Sequence, residues 1–307
     1  MNILITGGTG MVGRNLCEMA KAQGHKVFAP SSKELNLLSL NSTKEWFKKK
    51  KIGLIIHAAG IVAGIQANMA SQSLFLVQNS DMARNLFTVA FDNGVPRAIN
   101  LGSSCMYPKN APNPLKEDQV LNGKFEPTNE GYALGKVYAY KLCQFLSETK
   151  IVSYKTILPC NLFGKYDTYD DSRSHMIPAV IKKIHYAKMA NLPFVEIWGD
   201  SKARREFMDV KDLADCLIYA IDNFDTMPET MNVGTGIDYS IAEYYSLVAK
   251  IIGYKGKFTL DLTKPVGMKQ KLVDTTISNS WGWKSKISLI EGLKDTYEFF
   301  RSNNLCQ

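Results

Sequence analysis

The 307-residue sequence has little that would carry it into a membrane or tie it to a metal. No stretch approaches the ~18 consecutive apolar residues that a membrane helix requires, which excludes a helical span. The six cysteines, at 17, 105, 143, 160, 216 and 306, have no paired spacing, so neither a disulfide framework nor a zinc site is expected. With only four histidines and no His/Cys cluster, no metal site is expected. No internal repeat or low-complexity tract interrupts the chain. The opening MNILITGG has no basic leader, and the expectation is a soluble cytoplasmic protein. A net charge of +8 raises the question of nucleic acid, but the cations are dispersed apart from KKKK at 48–51. That run reads as a solvated helix end, no nucleic-acid or membrane partner is expected, and an anionic small substrate fits the balance equally well.

What is present is alternation. From residue 2 to about 160, short apolar runs (NILIT, KVFAP, GLIIHAA, RAINLGSS, VSYKTILP) are separated by amphipathic stretches at 11–23, 42–50, 80–93 and 130–149. Near-continuous apolar strands alternating with helices indicate βαβ units and a parallel sheet. After Asn161 the rhythm changes: a helix at 175–189, the strand PFVEIWG, the loop DSKARREF, a helix at 211–223, the strand TMNVGT, and helices at 240–252 and 287–301. The expected fold is α/β, a Rossmann-like doubly wound parallel sheet with a smaller C-terminal α/β substrate-binding domain. The expected division places residues 1–162 and a returning segment at about 207–234 in a nucleotide-binding domain, and 163–206 with 235–307 in the substrate-binding domain.

TGGTGMVG sets Gly7, Gly10 and Gly13 directly after the first strand and at the start of a helix, where they permit a tight turn and close helix packing while the helix N-terminus faces a pyrophosphate. Met11, Val12, Ala58 and Ala59 join them as candidate cofactor contacts. An acidic residue at the end of strand two accepts bonds from a ribose 2′-hydroxyl and repels a 2′-phosphate. This chain offers PSSK there, with Ser32 and Lys33, no carboxylate before Glu34, and Arg14 as a second cation. The expected cofactor is NADP(H); a merely solvated Lys33 is the alternative.

Tyr132 and Lys136 in GYALGK lie four apart on one helix face, an arrangement in which an ammonium favours the phenolate. Such pairs are common in helices. Together with the glycine loop and Ser103 after the fourth strand, the pair resembles the extended, sugar-nucleotide-modifying form of the short-chain dehydrogenase/reductase superfamily. The resemblance implies that Ser103 and Tyr132 hold a carbonyl oxygen and that Lys136 binds the nicotinamide ribose.

LGSSCMYP, EPTNEGYALGK, ILPCNLFGKYD, SHMIPAVI, IWGDSKARREFMDVKDLA and TKPVGMKQKL together resemble the GDP-L-fucose synthase family, essentially end to end. The resemblance implies NADPH-dependent reduction at C4 of a GDP-4-keto-6-deoxy sugar with C3/C5 epimerisation, and a homodimer. It makes Cys105 the base and His175 the acid, with His175 also near the cofactor. Both types titrate near neutrality after modest tuning. On residue type alone, Cys105 reads equally as a packed thiol and His175 as a polar residue at a helix start. His57 reads as lining the cofactor cleft or packing, and His25 and His185 as surface residues. Ser104, Asn161, Lys183, Trp198, Arg205, Asp209 and Lys271 are the candidate substrate contacts, with cations suited to a diphosphate and surface salt bridges as their alternative. One departure stands out: Val266 in TKPVG occupies a position where the family commonly has an acidic residue. A C4-only reductase of a GDP-4-keto-heptose, and a non-catalytic NADP-binding sensor or scaffold, remain as alternatives.

Overall fold

The computed structural model describes residues 1–171, 173–264, 266–303 and 305; Ser172, Pro265 of TKPVG, Asn304, Cys306 and Gln307 lie outside the described residues. In chain order the elements are β1 (Asn2–Thr6), α1 (Met11–Ala22), β2 (Lys26–Phe28), α2 (Leu40–Phe47), β3 (Leu54–His57), α3 (Ile65–Ala70), α4 (Gln72–Asp92), β4 (Arg97–Leu101), α5 (Glu130–Glu148) and β5 (Ser153–Pro159). They continue with β6 (Asn161–Phe163), α6 (Met176–Met189), β7 (Phe194–Trp198), β8 (Arg204–Arg205), β9 (Phe207–Asp209), α7 (Val210–Asp222), β10 (Thr230–Val233), β11 (Tyr239–Ser240), α8 (Ile241–Ile252), β12 (Lys257–Asp261), β13 (Gln270–Lys271), α9 (Thr276–Trp281) and α10 (Leu289–Ser302).

Six strands pair in the order β10-β5-β4-β3-β1-β2, all parallel. The buried runs NILIT, LIIH and RAINL are apolar on both faces because both faces are covered. One face packs Ile3, Ile5, Ile56 and Ile99 against Leu16 of α1 and Leu213 and Leu217 of α7. The other packs Leu4, Ile55 and Ala98 against Phe47, Leu86, Phe87 and Cys143 from α2, α4 and α5. This is a doubly wound sheet. Its order reverses between β1 and β3, and in such sheets ligands settle in the crevice at the strand C-termini beside that point.

A third core joins α6, α8 and α10 to β7, with Ile177, Ile181, Val195, Ile197, Tyr244, Val248 and Phe300 buried together. Three short strands lie beside it in the order β11-β8-β13, and β12 pairs with β7. Glu206, fully buried between β8 and β9, ties this lobe to the large sheet. Its carboxylate accepts from the amides of Thr235, at 2.6 Å, and Gly236, at 2.8 Å, just after β10, and from that of Val273, at 2.9 Å, just after β13.

KKKK is exposed at the end of α2, as its sequence implies, with Lys48 meeting Glu45. His185 differs from expectation: it is half-buried, with its Nδ1 3.0 Å from the Tyr297 hydroxyl and its ring edge-on to Phe300, because α10 folds back over α6. None of the helices among the described residues is long and apolar enough to cross a membrane.

His57 ends β3 as a packed residue, 2.8 Å from the Thr6 hydroxyl and edge-on to Phe87. Burial, with the Lys136 charge second, lowers it from 6.5 to about 3. The unfolded chain therefore binds a proton that the folded chain refuses, and this contribution is present above pH 6.5 and lost as the pH falls toward 3. Denaturant unfolding is expected to show a loss of about 1.4 kcal/mol per pH unit from this group across that window, and His57→Asn should remove that part of the slope.

Candidate active site

β1 delivers the chain into the turn TGGTG, and α1 starts at Met11 with Gly10 as its N-cap and no side-chain cap. The first amides of α1 are thus left for an anion. Gly7 sits at φ +71°, and a Cβ on Gly13 would lie 2.1 Å from the Gly7 carbonyl oxygen, so a side chain there cannot coexist with this turn. The loop rests on the Ala58–Ala59 backbone after β3, and the Ala59 amide donates to the Thr6 hydroxyl at 3.2 Å. Met11 and Val12 are half-buried in the first turn of α1.

At the end of β2, Ser32 and Lys33 are exposed. The nearby carboxylate, Glu34, is occupied by the Ser31 amide at 2.8 Å and the Ser31 hydroxyl at 2.9 Å, bonds that hold it below the ordinary carboxylate range. Arg14 is exposed and stacks on Tyr166, 5.0 Å from the ring centroid. An open cavity of about 280 Å³ beside the loop is lined by Gly8, Arg14, Cys17, Glu18, Lys21 and Tyr166. A glycine cradle, an uncapped helix start and this basic edge suit a dinucleotide carrying a 2′-phosphate.

Gly102 follows β4, and the chain turns into a single 3-10 turn, Ser104–Met106, with Ser103 as its cap. The Ser103 hydroxyl accepts from the Cys105 amide at 3.2 Å and lies close enough to the Tyr132 phenol to lower it. Lys136 is buried and donates to the Leu101 carbonyl at 2.8 Å, with its ammonium 5.9 Å from the Tyr132 ring centroid. Burial lowers Lys136 to about 8. The spacing of Tyr132 and Lys136 suggests a phenol drawn toward phenolate; here it stands well above its ordinary range instead. Burial and then the charge of Cys105 raise it, and the Ser103 bond only partly offsets them. Tyr132 therefore carries its proton at neutral pH.

The Cys105 sulfur accepts from the Asn129 amide at 3.1 Å and from the Lys271 ammonium at 3.4 Å. Burial alone would raise this thiol; Lys271, Ser103 and Asn129 bring it below its ordinary value. His175 caps the start of α6 by position, without a side-chain cap bond, and burial and then Lys271 lower it. Ser103, Cys105, Tyr132, Lys136, Lys271 and His175 thus form one electrostatically linked group. Asn129 belongs to it and was not singled out in the sequence, although it lies three residues before Tyr132 in the quoted EPTNEGYALGK. Its Oδ1 is buried without a partner among the described residues.

A second wall carries the remaining cations. Lys183 and Lys264 lie over the exposed ring of Trp198, at 5.6 and 5.3 Å from its centroid, and the Lys183 ammonium also donates to the Glu196 carbonyl at 2.9 Å. Arg205 donates to the Val266 carbonyl at 3.2 Å, and the Val266 side chain closes over Gly199.

Three candidate contacts are used inside the chain. Asp209 is buried, caps α7 through the Lys211 amide at 2.8 Å and is raised to about 6 by burial. Asn161 donates to the Glu206 carbonyl at 2.8 Å, and Ser104 is buried within its turn. Among the described residues no group of three His, Cys, Asp or Glu side chains could hold a metal ion.

A parallel sheet of this order, a glycine cradle after β1 and a Ser-Tyr-Lys trio after β4 define a nucleotide-binding enzyme of the short-chain dehydrogenase/reductase type. The chain belongs to the NAD dependent epimerase/dehydratase family, which residues 3–234 match. It is 51% identical over 301 residues to the GDP-L-colitose synthase of Yersinia pseudotuberculosis, covering 98% of both chains. It is 45% identical over 302 residues to the GDP-L-fucose synthase of Azorhizobium caulinodans, covering 98% of this chain and 97% of that one. Among solved structures it superimposes on MlghC, a GDP-mannoheptose C4 reductase from Campylobacter jejuni with NADP bound, at TM-score 0.89, 30% identity and 98% coverage of each chain.

Gly13→Ala is expected to weaken NADPH binding at least tenfold in a fluorescence titration. Unchanged affinity with an unchanged melting temperature would remove the glycine cradle from the cofactor site.

Proposed function

We propose that this chain is an NADPH-dependent reductase acting at C4 of a GDP-4-keto-6-deoxy sugar, and that it inverts the carbons flanking the ketone before reducing it. The observation that carries the reading is the convergence of the Ser103 hydroxyl, the protonated Tyr132 phenol and the Cys105 sulfur at one strand end beside the glycine cradle. The likeness to GDP-L-colitose and GDP-L-fucose synthases supports the sugar class.

The C4 ketone acidifies the protons at C3 and C5. Cys105 removes one of them: the C–H bond breaks, an S–H bond forms, and the electron pair moves to the ketone oxygen as an enolate. Ser103 and Tyr132 donate hydrogen bonds to that oxygen. His175, in its protonated fraction, gives an N–H proton to the opposite face of that carbon and is left as neutral imidazole, which inverts the carbon. When bound, NADPH supplies hydride to C4. Tyr132 gives its proton to O4, and Lys136 holds the ribose side of the site. Gly7, Gly10 and Gly13 cradle the pyrophosphate, with Arg14, Ser32 and Lys33 at the 2′-phosphate. Lys183, Trp198 and Arg205 take the nucleotide end of the substrate. In this reading residues 1–162 with 207–234 hold the cofactor and the remaining segments hold the sugar.

The same reading includes a homodimer through α4 and α5. Leu74 and Val77 on α4, and Tyr138 and Phe145 on α5, are exposed at helical spacing, and a second copy would cover them. Sedimentation is expected to give twice the chain mass, and Val77→Glu to give the monomer.

A C4-only reductase of a GDP-4-keto-heptose is the second reading, favoured by Val266 in the substrate wall and by the likeness to MlghC. Incubation with GDP-4-keto-6-deoxy-mannose and NADPH in heavy water separates them. The proposed enzyme oxidises NADPH and incorporates deuterium at C3 or C5, the C4-only enzyme incorporates none, and a non-catalytic sensor does neither. Tyr132→Phe should lower reduction at least a hundredfold, whereas Cys105→Ser should slow deuterium incorporation first. Equal loss of both activities in Cys105→Ser would count against its role as the base.

A further inference from the structure

We propose that Lys271 is a positioning residue for the inversion chemistry, holding Cys105 as the thiolate of a buried sulfur–ammonium ion pair. The proposal deepens the reading of Cys105 as the base, and rests on it for its catalytic meaning.

Lys271 is 8% exposed, at the second residue of β13, where parallel pairing with Arg205 of β8 fixes its backbone. A buried ammonium needs a counter-charge or a full set of acceptors. Among the described residues it makes no ion pair with a carboxylate, and its hydrogen bond goes to the Cys105 sulfur at 3.4 Å. A neutral thiol would leave that charge uncompensated; a thiolate compensates it. The Asn129 amide, at 3.1 Å, donates to the same sulfur and favours the anion as well.

Other charged and titratable groups near the sulfur respond to its charge. Arg205, from β8, and Lys136, from α5, both interact with the charge of Cys105 and are raised by it, against the lowering effect of their own burial. Tyr132, from α5, is raised by that charge and keeps its proton. His175 is lowered by Lys271, so the one ammonium acts on both proton-transfer groups. A ready thiolate can take the substrate proton directly, and the negative charge then passes to the enolate oxygen. The substrate diphosphate is then left to the cations around Trp198.

The test is alkylation of Cys105 by iodoacetamide in the purified full-length chain as a function of pH, read as modification of the peptide containing residue 105. Only the thiolate reacts appreciably, so the midpoint reports ionisation. The wild type is expected to react with a midpoint below the ordinary thiol value of about 8.5. Lys271→Met should raise the midpoint by about one pH unit and slow the reaction at pH 7 about tenfold, and Lys271→Arg should restore most of the rate. A wild-type midpoint at or above the ordinary value overturns the proposal even if Lys271→Met does not fold. So does an unshifted midpoint in a folded Lys271→Met. The measurement needs no sugar, so a wrong substrate assignment leaves it standing, and a wrong ion pair leaves NADPH oxidation by the wild type standing.

Discussion

The candidate site depends on one buried carboxylate. Glu206 joins the turn after β10 to the chain after β13, and its neighbours in sequence and pairing are Arg205 and Lys271. Without that junction the short strands β8 and β13 would have no fixed relation to β4, and the Lys271 ammonium could not be set against a sulfur 166 residues earlier in the chain. Three backbone amides satisfy the carboxylate, so the junction survives burial. A side chain on Gly234 would meet it at 2.3 Å, which shows how little room the junction leaves.

The two ends of the candidate site obey different physics. The glycine-loop end is built from backbone: a left-handed Gly7, the absence of a Cβ at Gly13 and the start of α1 without a side-chain cap. The other end is built from charge balance in a buried cluster, where Lys271 lowers Cys105 and the charge of Cys105 raises Tyr132 and Lys136 against or alongside their burial. This explains why Tyr132 departs from the picture of a phenol softened by its neighbouring lysine. The Lys136 ammonium is spent on the Leu101 carbonyl, and the anion closest in effect is a sulfur.

The long sheet was legible because β1, β3 and β4 are apolar on both faces and end in turn residues. The glycine loop and the Tyr-Lys pair were legible because local spacing defines them. α4 was read as starting near residue 80, whereas it begins at Gln72; Asn79 looks like a helix breaker but donates back to the Phe75 carbonyl within the helix. α3 and α9 are six residues each, and β6, β8, β9, β11 and β13 are two or three, so tertiary pairing and not propensity makes them. Asn129 and the direction of Lys271 share that cause, because no local pattern announces a partner 24 or 166 residues away. Asp209 and Asn161 carry the polar atoms of substrate ligands but spend them on a helix cap and a strand junction.

The partner of Lys136 is a main-chain oxygen, that of Leu101, and not a side chain. Evolution at position 101 can therefore vary the residue without touching the acceptor, and no compensating pair of exchanges will ever betray this contact in an alignment. Only a shift in the register of β4 could move it, and a strand paired on both sides at the centre of the sheet is the part of the molecule least free to slide.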